Sequence, residues 1–133
     1  MSVINIDKEG FEKLVTQETG TVIVDFWASW CGPCIQFGPI FERVSEKHPD
    51  VVFAKVNTDE HQELSQMAGI MSIPTLMIFR DGIGLFNQAG ALPEPAFEDL
   101  IGQVKALDMV KVKEDVAAMQ AERDLETGDA PVS

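Results

Sequence analysis

Thr21-Val22-Ile23-Val24-Asp25-Phe26-Trp27-Ala28-Ser29-Trp30-Cys31-Gly32-Pro33-Cys34 is the stretch of this 133-residue chain that decides the fold. From Thr21 to Ala28 it is β-branched, aromatic or small, and apolar on both faces except at Asp25. A strand of that kind sits in the middle of a sheet covered on both sides. Two cysteines follow at once and open a segment, residues 34–48, with helical spacing: Phe37, Phe41 and Val44 recur at four and three and read as core. Pro39 falls inside that helix and is expected to kink it.

Outward from this unit the chain alternates. Val3–Ile6 reads as a short strand, and Asp7 caps a helix running to about Gln17, closed by Gly20. On the other side His48-Pro49-Asp50 is a turn and Val51–Val56 a strand. Thr58 or Asp59 caps a helix to about Ala68, ended by Gly69. Thr75–Phe79 and Gly84–Gln88 flank an Asp81-Gly82 hairpin turn, and Pro93 and Pro95 introduce a helix from Pro95 to Leu107. The order β-α-β-α-β-α-β-β-α predicts an α/β fold: a parallel part from the alternating units, with an antiparallel edge added by the hairpin. In residues 108–133, Met109, Val112, Val116 and Met119 recur at three, four and three, which predicts an amphipathic helix to about residue 125 and disorder beyond. This extension is expected to cap the sheet or pack on the domain; a partner-binding segment is the alternative.

Composition narrows the function. The length fits one domain with an appendage. Twenty-two acidic and ten basic side chains give −12, which argues against nucleic acid, since phosphate binding needs clustered Lys and Arg. Residues 1–107 carry 15 acidic and 7 basic groups, hence −8; residues 108–133 carry 7 and 3, hence −4. No apolar run reaches the ~20 residues of a membrane helix, so no membrane is expected. The N-terminal residues do not read as a signal peptide, and the expected location is cytoplasmic. In a reducing compartment a lone cysteine pair is chemical rather than structural. A zinc site is disfavoured: 13 residues separate Cys34 from His48 and 12 separate His48 from His61, which does not fit a finger. The histidines read as surface residues, and Met67, Met71 and Met77 as core filler.

The physics of Cys31 and Cys34 is direct. Residues three apart on a helix share a face, close enough for their sulfurs to bond. Unpaired N–H groups and the macrodipole at the helix N-terminus favour a thiolate on Cys31, the attacking species in disulfide exchange. Gly32 permits close approach of another chain, and Pro33 removes a donor that the first turn does not use. Asp25 lies mid-strand among apolar residues. Burying a carboxylate unpaired costs several kcal/mol, so its presence needs a reason.

These residues resemble the thioredoxin family. Asp25-Phe26-Trp27-Ala28 with Trp30-Cys31-Gly32-Pro33-Cys34 matches the family's active-site stretch, Pro39 its helix kink, Lys55 its strand lysine, Ile73-Pro74-Thr75 its cis-proline loop and Gly90 its late glycine. Order and spacing agree from about residue 2 to residue 107. The resemblance implies a thioredoxin fold, a central mixed sheet flanked by helices on both faces, here with a C-terminal helical extension. It implies a protein-disulfide reductase in which Cys31 is the nucleophile and Cys34 the resolving thiol. Asp25 takes and returns the Cys34 proton, with Lys55 as its partner. Trp30, Ile73, Pro74, Gly90 and Ala91 contact the client, and the Ile73–Pro74 bond is cis. The implied partners are disulfide-containing clients and an NADPH- and flavin-dependent thioredoxin reductase; no cofactor or metal is implied for the chain itself, which is expected to be a monomer. One position departs from the family: Ile35 stands where Lys or Arg is frequent. Two other readings remain open. An isomerase or oxidase would use the same cysteines, though Gly-Pro between them resembles reducing members. A thioredoxin-fold binding or assembly subunit would not need them.

Overall fold

A computed structural model describes residues 2–127. Its elements run β1 (Val3–Asn5), α1 (Lys8–Val15), β2 (Thr21–Trp27), α2 (Gly32–Lys47), β3 (Val51–Asn57), α3 (Gln62–Met67), β4 (Thr75–Arg80), β5 (Ile83–Ala89), α4 (Glu94–Ala106) and α5 (Met109–Thr127). The five strands form one sheet in the order β1-β3-β2-β4-β5. β1, β3 and β2 are parallel; β4 runs antiparallel to both β2 and β5. The strand quoted at the outset is therefore the middle one, and six of its seven residues are buried.

The pleat splits β2 between two cores. Ile23 joins Phe37, Phe41 and Val44 of α2 and Phe97, Ile101 and Val104 of α4 on one face of the sheet. Val22, Val24 and Phe26 face the other way, toward Phe11 and Leu14 of α1 and Leu64 of α3. Successive strand side chains point to opposite faces, so Asp25 and Trp27 share the α2 face with Ile23. Parallel pairing sets Asp25 opposite Lys55 of β3.

Local signals place the elements. Asp7 caps α1 by accepting a hydrogen bond from the Gly10 amide at 2.8 Å. Asp81 and Gly82 both take positive φ, 54° and 79°, as a tight hairpin turn joining right-twisted strands requires. Asp81 also accepts from the Gly20 amide at 2.9 Å and returns its own amide to the Gly20 carbonyl, tying the hairpin to the start of β2. α2 is continuous for 16 residues, with Pro39 inside it.

Three expectations are corrected. α3 starts at Gln62, not after Thr58 or Asp59. The Thr58 hydroxyl donates to the Trp27 carbonyl instead of capping, and the Asn57 side chain accepts from the amides of Asp59 and Glu60, holding residues 58–60 in a turn. Of the three methionines expected in the core only Met77 is buried; Met67 and Met71 face solvent, Met71 at 97% exposure. Finally, the extension is helical through Thr127, and among the described residues its apolar stripe reaches the domain at its root alone. Met109 is buried and Val112 half-buried, while Val116 and Met119 of the same stripe are exposed. The disorder expected beyond residue 125 falls largely on residues 128–133, which lie outside the described residues.

His48 is less superficial than its sequence reading. Its Nε2 pairs with Glu98 of α4 at 2.8 Å, and its Nδ1 accepts from Lys105 at 2.8 Å, so it links the end of α2 to α4. Arg43 and Lys47 add a tie between the same helices through Glu94.

Candidate active site

The parallel strands β2 and β3 end on the same side of the sheet, and everything chemical gathers there. β2 leads through Ala28 into Cys31, which is the N-cap of α2. Cys31 and Cys34 are joined as a disulfide, with 5.2 Å between their Cα atoms. The Cys31 sulfur also accepts the Cys34 amide at 3.3 Å, one of the free donors of the first helical turn. That donor and the helix dipole favour negative charge on Cys31 sulfur once the bond is opened. Both cysteines are largely buried and pack with Ala28, Trp27 and Ile73.

Asp25 is wholly buried on the α2 face, and neither carboxylate oxygen has a hydrogen-bond partner among the described residues. Desolvation pushes its pKa up to about 7, against the pull of the Lys55 ammonium. Lys55 does not bond the carboxylate; its Nζ lies 4.3 Å from the centre of the Trp27 ring, where the π-face attracts a cation. Lys55 and Cys34 line a cleft of about 420 Å³ that also includes Trp27, Ile35 and Glu42.

A second groove, of about 510 Å³, is lined by Cys31. Gly32, Pro33 and Trp30 form one wall, and residues 70–73 the other. The Ile73–Pro74 bond is cis, as the resemblance implied, and the Ile73 carbonyl oxygen lies 3.7 Å from Cys31 sulfur. Pro74 accepts the Gly90 amide at 2.8 Å, and Gly90, at φ 110°, holds a conformation that favours glycine. Ile73 thus packs on the cysteines, Trp30 lines the same groove as Cys31, and Pro74 and Gly90 are bonded to each other, with Ala91 next in the chain and exposed. Gly32 has nothing within 4 Å of an added Cβ, so the approach over the disulfide is open.

Two residues join the site that the sequence reading does not place there. Asp59 accepts the Trp30 indole N–H at 2.9 Å and holds that 70% exposed ring on the groove rim. Its signal is topological: loops after neighbouring parallel strands must meet. Met71, expected in the core, lines the groove wall instead. Among the described residues no three His, Cys, Asp or Glu side chains gather as a metal-ligating group, and no helix is long and apolar enough to cross a membrane.

Comparison with known proteins places this arrangement. The family model described as Thioredoxin matches residues 2–103. The chain is 51% identical over 121 residues to "Putative thioredoxin 2" of Streptomyces coelicolor, covering 91% of this chain and 90% of the relative. It is 33% identical over 104 residues to the thioredoxin of Bacillus subtilis, covering 77% of this chain and 98% of that one. Among solved structures, a mutant thioredoxin from Halobacterium salinarum superposes with a TM-score of 0.72 at 33% identity, over 80% of this chain and 93% of the other.

Proposed function

The chain belongs to the thioredoxin family and is a thiol–disulfide oxidoreductase that reduces disulfides in client proteins; from that premise we propose how its residues share the work. Cys31, as thiolate, attacks one sulfur of the client disulfide. A Cys31–client bond forms, and the other client sulfur leaves as a thiolate and takes up a proton. Asp25, ionised at that moment, accepts the Cys34 proton. Cys34 then attacks Cys31 sulfur, the client sulfur leaves, and the 31–34 bond remains. Two electrons pass from the chain to the client, and the balance needs no other group.

The observation that carries this reading is a carboxylic acid with a pKa near 7, buried on the face that packs against the cysteine-bearing helix. A general base works best with a pKa near the operating pH. Lys55 tunes that acid and lines the cleft that Cys34 also lines. Trp30, Ile73, Pro74, Gly90 and Ala91 receive the client, whose extended backbone pairs beside the cis-proline. Gly32 leaves room for it, and Pro33 fixes the first turn of α2.

A flavin- and NADPH-dependent thioredoxin reductase regenerates the dithiol, and the protein acts as a cytoplasmic monomer. Gly-Pro between the cysteines supports reduction over oxidation, since no added cation stabilises the thiolate there. Residues 1–107 are the catalytic unit, and residues 108–133 an acidic appendage. The test is turnover of a protein disulfide with NADPH and a thioredoxin reductase. Steady NADPH consumption that needs both Cys31 and Cys34 is expected. A double Cys31→Ser, Cys34→Ser variant that keeps full biological function would make assembly, not redox chemistry, the main role.

A further inference from the structure

Trp30 is 70% exposed, and its indole N–H donates to the Asp59 carboxylate at 2.9 Å. A hydrogen bond in water holds a ring still only if the acceptor stands on fixed backbone; a carboxylate on a loose turn would follow the ring instead. No helix fixes Asp59, because α3 starts only at Gln62. Asn57 does. It is the last residue of β3, and the parallel register sets it opposite Trp27. Its side-chain oxygen accepts the amides of Asp59 at 3.0 Å and Glu60 at 3.3 Å. Its Nδ2 donates to the Glu60 carboxylate at 3.1 Å, and its main-chain carbonyl accepts the His61 amide at 3.0 Å. Between them Thr58 donates to the Trp27 carbonyl twice, through its amide at 2.9 Å and its hydroxyl at 3.1 Å. The turn is thus tied to the ends of both β2 and β3, and Asp59 projects from it toward Trp30. Asn57 acts there as acceptor and donor at once, which an aspartate cannot do.

We propose that Asn57 is a positioning residue for client binding: through the turn at residues 58–60 it fixes Asp59, and through Asp59 the Trp30 ring. A ring already in place spares the entropy of ordering that side chain when a client docks. This rests on the reading of Trp30 as a client contact.

The experiment follows the two indole N–H signals of the full chain by NMR, assigned with Trp30→Phe, and the KM of reductase-coupled turnover of a protein disulfide. Asn57→Ala is expected to speed solvent exchange of the Trp30 indole about tenfold and leave exchange at Trp27 unchanged. KM rises about three- to tenfold at unchanged kcat, the mark of lost uniform binding. In a Trp30→Phe background, where the bond to Asp59 is already gone, Asn57→Ala adds nothing further to KM. Asn57→Asp keeps the acceptor but sets a second carboxylate against Glu60, and loosens the ring as Asn57→Ala does. Adding Glu60→Gln supplies the donor from the other side and restores both readouts; this pair decides the matter where Asn57→Ala does not fold. Unchanged exchange at Trp30, equal acceleration at both indoles, or no recovery in the double variant overturns the inference. A raised KM in Trp30→Phe that Asn57→Ala does not reproduce overturns it too, and leaves Trp30 as a client contact. A wild-type KM in Trp30→Phe overturns that reading of Trp30 and this inference with it.

Discussion

Asp25 gives up water on every side and gains no hydrogen bond from the described residues in return, so the fold holds it at a cost that depends on pH. Its folded pKa, about 7, lies above the ordinary 3.8. Well below pH 3.8 the carboxyl is neutral in both folded and unfolded chains, and the penalty vanishes. As pH rises toward 7 the unfolded chain ionises while the folded one resists, and stability falls; above 7 the loss is complete, on the order of 4 kcal/mol. Asp25→Asn is therefore expected to raise stability at pH 8 and change it little at pH 4, as denaturant unfolding at the two values would show. The same variant should slow release of client from the mixed disulfide most at neutral pH and least at pH 9, where hydroxide replaces the missing base. Cys34→Ser should halt the reaction at the mixed disulfide, so that mass spectrometry finds client joined to Cys31. At this scale the sequence is legible wherever a residue breaks its local pattern. Asp25 interrupts an apolar strand and the cysteines open a helix. Met71 breaks nothing, and its neighbours Gly69 and Pro74 reveal a loop but not which side chains it turns outward. Asp59 gains its role only from Trp30, 29 residues away.

The elements follow from local chemistry where caps and turns decide them, and less where side chains compete. Asp7, Asp81-Gly82 and Gly69 do what their types predict. Thr58 and Asp59 look like helix caps, but the Asn57 side chain bonds the amides of Asp59 and Glu60 and holds them in a turn, so α3 begins later. Gly82 tests the hairpin. It sits at φ 79°, and a Cβ there would lie 3.3 Å from the Gln17 carbonyl oxygen. Gly82→Ala is expected to cost ~1–2 kcal/mol in urea unfolding, the sum of left-handed backbone strain and crowding. Arg80, at the end of β4, donates to the carbonyls of Val104, Lys105 and Leu107 and so closes the C-terminus of α4. Arg80→Ala should destabilise the chain by ~1–3 kcal/mol, with faster hydrogen exchange concentrated in the last turn of α4 and the first of α5.

For the molecule as a whole, the two sheet faces and the middle position of β2 are legible because burial on both sides leaves no polar alternation in the strand. The fate of the extension is not. Its stripe has the same spacing as a packed helix, and only the shape of the body shows that Met109 and Val112 reach it while Val116 and Met119 do not. Removing residues 108–133 is expected to leave reductase-coupled turnover of a protein disulfide unchanged. A large loss of activity in a chain that still melts cooperatively would show that the extension belongs to the catalytic unit. Where α5 begins matters in another way. Lys113 meets Asp81 at 3.5 Å, at the hairpin bound to the start of β2. Seven strand residues, about 20 Å, then separate that end of the sheet from the end that carries the cysteines. A chain coupled to a resin through a side chain of α5 would thus stand with its dithiol toward the flowing solution, ready-made as an immobilised protein reductant.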